Sequence, residues 1–173
     1  MTKAEFVDLL PGESVIPDDS QPSELLYRQI CKHIWDVQYG RPDLHSFGPQ
    51  RADERKPSFA RASLVSAQAS RDWHNENANS KSKGVWGCSV AEVSEAGTRA
   101  IDDSETPLTD GDLRSPGHTF VDYRHASKTE LKTIKAALLM FALDRNEIQT
   151  VDNSDPSPSE SADTPSDASD ESS

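Results

Sequence analysis

Apolar residues come in short runs along this chain, each closed by a turn signal. The run near the C-terminal end has the clearest period. Ser127-Lys128-Thr129-Glu130 has the capping-box pattern, in which serine and glutamate side chains each accept from an otherwise orphaned amide. Leu131, Ile134, Leu138 and Phe141 follow at helical spacing, widened by Ala137, Leu139, Met140 and Ala142. The spacing predicts a helix over 128–145 whose broad apolar face lies across a sheet.

The run 84–93, GVWGCSVAEV, reads at period 2. Trp86, Cys88 and Val90 share one face, and Val85, Ala91 and Val93 the other. Both faces are mainly apolar, which predicts a strand at the centre of a sheet. Gly87 within it marks a bulge or the close approach of another backbone or a ligand. A shorter strand, 98–101, follows the turn at Gly97.

Residues 25–30 hold the β-favouring Tyr27 and Ile30, which predicts a strand, although Leu26, Ile30 and Ile34 also sit at helical spacing. On a strand, Arg28 shares a face with Leu26 and Ile30, and a charge there needs a partner. Residues 58–65 predict another strand, and Ser66 an N-cap for a helix over 67–77. A last strand, 118–124, puts Thr119, Val121 and Tyr123 on one face and His118, Phe120 and Asp122 on the other.

Two polar stretches interrupt these elements. Residues 40–57 carry Arg41, Arg51, Arg55 and Lys56 against Asp43, Asp53 and Glu54, with Leu44 and Phe47 as anchors. Loops this long in a small domain are often functional. Residues 102–117 form the second excursion. At the N-terminus, Phe6, Val7, Leu9 and Leu10 suggest a turn of helix docked on the core, and 17–22 reads as a linker.

The fold expected is α+β: a small mixed or antiparallel sheet with the C-terminal helix packed on one face. One domain spans 23–148, after an N-terminal segment and linker over 1–22. Charge sets the far boundary. The 173 residues carry a net −12, with seven of the 30 acidic residues after residue 150 and all 18 Lys and Arg before it. Residues 149–173 are read as a disordered acidic tail, too poor in apolar surface to offset their ordering entropy. The acidity argues against non-specific nucleic-acid binding. The absence of a signal-like or membrane-spanning apolar run predicts a cytoplasmic protein. Cys31 and Cys88 are then free and mostly buried thiols, with no zinc spacing. No metal or cofactor is expected.

The motifs of nucleotide-binding loops, nucleophile elbows and zinc proteases are missing. Candidate chemistry therefore rests on single residues. Arg28, with Ser46, Ser58 or Ser63, offers planar bidentate donors and hydroxyls to an anionic ligand. His118 and Asp122 share a strand face, and Asp122 pairs with Arg28 if their strands neighbour. Trp73-His74 suits either a core position or stacking on a ring. Cys88 lies in an apolar setting where thiols are inert.

The series LLYRQI (25–30), HSFGP (45–49), PSFARASLVSAQ (57–68), GVWGCSVAEV and GHTFVDYR resembles a group of small bacterial proteins with no assigned activity. The resemblance covers roughly 24–125 and implies a compact α+β domain, without site residues to carry over. Two functions are expected. One is a non-enzymatic interaction or accessory protein acting with a protein partner. The other is an ADP-ribosyl- or nucleotide-binding domain, possibly a transferase, using Arg28 and neighbouring serines, with Glu92 as the acid. The latter rests on analogy to how ADP-ribosyltransferase-like domains begin.

Overall fold

The computed structural model describes residues 5–154. In chain order the strands and helices are β1 (Ser14–Val15), β2 (Leu25–Cys31), β3 (Trp35–Asp36), β4 (Arg41–Pro42), β5 (Ser58–Arg61), α1 (Ala67–Asn77), β6 (Ser82–Ser89), α2 (Val90–Glu95), β7 (Ala100–Asp102), β8 (His118–Val121) and α3 (Lys128–Arg145). Six strands make one antiparallel sheet of order β1-β7-β8-β5-β2-β6, and β3 and β4 form a small separate hairpin. This is the α+β architecture expected, with the sheet wholly antiparallel.

Register decides which residues face the core. On β2, Leu26, Arg28 and Ile30 are buried and alternate with half-buried Leu25, Tyr27 and Gln29. Leu26 lies opposite Cys88, and Arg28 opposite Trp86. Phe59 and Val121 continue this apolar face, and α3 covers it with Ile134, Leu138, Leu139 and Ala142. Each of these side chains larger than alanine contributes about 1.5–3 kcal/mol on full burial. The capping box starts α3 as expected: Ser127 Oγ accepts from Glu130 N at 3.2 Å, and Glu130 Oε2 from Ser127 N at 2.8 Å. From the 40–57 stretch, Phe47 plugs the core, and its carbonyl accepts from Tyr123 Oη at 2.7 Å.

Several expectations are corrected. The 84–93 strand is not central; β6 is an edge strand whose one strand partner among the described residues is β2. Its outer edge is covered by the chain returning from α3, with Ile148 N donating to Val85 O at 2.8 Å. β6 also ends at Ser89, because Ser89 and Glu92 form a second capping box that starts α2. Gly87 is a close approach, since a Cβ there would sit 2.7 Å from Leu26 O. The irregularity in pairing lies instead between Ile30 and Cys31.

The expected strands over 58–65 and 118–124 stop at Arg61 and Val121. The N-terminal segment belongs to the domain: β1 pairs with β7, Ile16 is buried, and Glu13 takes two hydrogen bonds from Arg124. No helix forms around Phe6; its ring instead lies under Arg99. At the other end, residues 151–154 run against α1, where Val151 and Gln68 exchange hydrogen bonds at 2.8 and 2.9 Å. Of the stretch 149–173 expected as an acidic tail, the part from 155 onward lies outside the described residues.

The opposite sheet face is covered only in part. Helix α1 has the predicted bounds, with Ser66 Oγ capping Ala69 N at 3.1 Å. It docks through polar groups. Ser70 accepts from Gln29 Nε2 at 3.1 Å, and buried Arg71 donates to Ser82 O at 3.0 Å. A helix held this way at one side of the sheet leaves a depression where Tyr27, Ala60 and His118 lie.

Candidate functional site

The uncovered part of that face forms a groove of about 440 Å³. Tyr27, Ala60 and His118 make its floor, aligned across β2, β5 and β8 by the register. Trp73 and His74 of α1 form one wall. Gln50 and Asp53, and Leu113 and Ser115 from the two polar excursions, line the rest. Both excursions thus contribute to the groove.

Arg28 lines it from the core side of β2 and is buried. Nε donates to Ser46 O at 3.0 Å and Nη1 to Ser58 O at 2.8 Å. The guanidinium also sits 5.4 Å from the Phe59 ring centroid. No carboxylate pairs with it, and Nη2 makes no hydrogen bond among the described residues. Burial pulls its pKa below the ordinary arginine value, and the charge of Asp53 opposes this only in part. It remains a cation at neutral pH with its charge uncompensated by a direct partner.

His118, the first residue of β8, holds two partners. Its Nδ1 is 2.7 Å from Asp103 Oδ1, and its Nε2 is 3.1 Å from Ser58 Oγ. Asp103 immediately follows β7, so three adjacent strands set Asp, His and Ser in a row.

The other candidates lie apart from this row. Ser46 contributes its carbonyl to Arg28, while its hydroxyl donates to Asp43 O at 2.7 Å. Ser63 lies past the far end of β5, with its hydroxyl on Glu24. Asp122 is fully buried between Arg99 and Arg124, at 3.0 and 2.9 Å, and touches neither His118 nor Arg28. The Arg28–Asp122 pair, expected if their strands neighbour, does not form, because β5 lies between β2 and β8. Burial alone would raise the Asp122 pKa; hydrogen bonds from Arg124 and Arg99 outweigh it and hold the carboxyl below its usual value. Glu92 is occupied by the α2 cap and by Arg145 at 2.8 Å.

Cys31 Sγ lies 3.3 Å from His74 Nε2, but that nitrogen also lies 2.8 Å from Ser80 O. A carbonyl can only accept, so Nε2 carries the proton and cannot take one from the thiol. Burial raises the Cys31 pKa and pushes Cys88 up to about 12.

No protein-family model, curated protein or solved structure matches this chain. Its chemistry has to be read from the groove itself. No group of three or more His, Cys, Asp or Glu among the described residues is placed to hold a metal ion. No described helix is long and apolar enough to cross a membrane.

Asp103 and Tyr27 are not among the candidates that the sequence singles out. Asp103 sits in a polar stretch, and only the pairing of β7 with β8 brings it beside His118. Alternation after Ile101 was the available signal, and it required knowing the strand order.

Proposed function

We propose that the groove binds a small anionic ligand carrying a planar ring, of the nucleotide or ADP-ribosyl type. Arg28 carries this reading. A buried guanidinium without a carboxylate, with Nη2 unbonded at a groove, is matched by a phosphate or carboxylate of the ligand. The half-buried Trp73 lines the same groove and offers a face for a ring. The test is a thermal-shift series with ADP-ribose, NAD and ATP on the wild type and Trp73→Ala. A rise of several degrees with at least one ligand, lost in the variant, is expected. No rise with any of the three contradicts the reading.

A second reading, action with a protein partner, is favoured by the β3–β4 hairpin. Val37 is 85% exposed, and Tyr39 and Leu44 are 64% and 68% exposed. Large apolar groups this exposed within eight residues of sequence are consistent with an interaction surface. A stoichiometric partner lost on Val37→Asp supports it; recovery of the protein alone counts against it.

A further inference from the structure

We propose that Ser58 is the nucleophile of an ester-cleaving site in this groove, with His118 as its general base and Asp103 as the positioning residue. The inference shares the groove with the preceding reading but needs no anion on Arg28.

The hydrogen-bond chain sets the proton positions. The Asp103 carboxylate can only accept, so His118 Nδ1 bears a proton toward it at 2.7 Å. In the neutral imidazole, Nε2 is then the acceptor, and the Ser58 hydroxyl donates to it at 3.1 Å. This is the protonation state in which a serine oxygen can be activated. The chain is also built into the sheet: Ala60 pairs with His118 and Ser58 with Phe120, so Ser58 lies diagonally across from the imidazole on the same face. Arg28 holds the Ser58 carbonyl from below.

Access and supporting donors are present. Ser58 is exposed and lines the groove, whereas the side chains of His118 and Asp103 are each only 19% exposed. Tyr27 and Ser115 line the same groove, and their hydroxyls make no hydrogen bond among the described residues. Hydroxyls left without a partner can donate to a developing oxyanion. The competing thiol, Cys31, is disqualified by the proton on His74 Nε2.

The substrate class is a carboxylic ester with an acyl group small enough for the groove. Ser58 Oγ adds to the carbonyl carbon while its proton passes to His118 Nε2. Collapse breaks the bond to the leaving oxygen, which takes that proton and departs as an alcohol. Water then attacks the acyl-serine, gives a proton to Nε2, and releases the acid as Ser58 recovers it.

The test is labelling of the full chain with a fluorophosphonate, mapped by peptide mass spectrometry, alongside hydrolysis of 4-nitrophenyl acetate. One adduct on Ser58 is expected, absent in Ser58→Ala. His118→Ala should slow labelling and hydrolysis about 100-fold or more. Asp103→Asn should lower kcat at least about tenfold with KM kept, and Asp103→Glu should recover part of the loss. No adduct on Ser58, an adduct only elsewhere, or equal labelling in a His118→Ala protein with native circular dichroism overturns the proposal. Failure of the nucleotide thermal shift leaves this readout unaffected, so the two readings fail separately.

Discussion

Arg28 and Ser58 are joined through main chain rather than side chain: Nη1 of Arg28 donates to the Ser58 carbonyl at 2.8 Å. One buried cation thereby fixes the start of β5 and, through Nε, the Ser46 carbonyl of the 40–57 stretch. Arg28→Met should remove both donors and cost about 2–4 kcal/mol, since hydrogen bonds to charged groups are worth roughly 1.5–3 kcal/mol each and the methionine stem retains part of the packing. Urea denaturation measures it. An unchanged midpoint would show that the two carbonyls find other partners.

Asp122 makes the fold acid-sensitive. Its folded pKa is depressed, so the stabilisation is present above the unfolded carboxylate value of about 4 and is lost as pH falls through the lower folded value. Asp122→Asn leaves Arg99 and Arg124 without their buried carboxylate and should cost about 3–5 kcal/mol at pH 7. Denaturation from pH 7 to pH 3 should show wild type and variant converging at the acid end. A constant gap across that range would contradict this role.

Gly87→Ala should destabilise by about 1–3 kcal/mol. The added methyl meets the Leu26 carbonyl at 2.7 Å, and also Leu25 Cδ1 at 3.1 Å and Ile148 Cδ1 at 3.2 Å. Backbone on one side and two packed side chains on the other leave it little room. A neutral effect in thermal denaturation would mean that β6 can shift away from β2.

Both thiols should be silent in the native protein. Burial lifts the Cys88 pKa to about 12 and raises that of Cys31, which leaves little thiolate at pH 8. Ellman's reagent should find no fast-reacting thiol before unfolding and two after it. A fast native thiol would place Cys31 in an open environment.

How far these features were legible in sequence depended on their range. The Ser127–Glu130 and Ser66 caps were readable because a cap and its amides lie within one turn. The Ser89–Glu92 box carries the same local signal, yet it is embedded in the apolar run 84–93, whose period-2 pattern masks it. The central placement of β6 failed for a tertiary reason: α3 and Ile148 cover an edge that the strand pattern alone cannot reveal. Arg28 was recognisable as a charge among apolar neighbours, but its carbonyl partners were not, because any residue has a carbonyl. Ser58 and His118 were each singled out; joining them needed the β5–β8 register, and joining Asp103 needed β7 beside them.

The groove as a ligand site is tested most directly by an amide NMR titration of the full chain with ADP-ribose. Saturable shifts concentrated at Tyr27, Arg28, Ser58, Trp73 and His118, which all line the groove, are expected. An unchanged spectrum at millimolar ligand, or shifts centred on Val37 and Tyr39 of the hairpin, would contradict it.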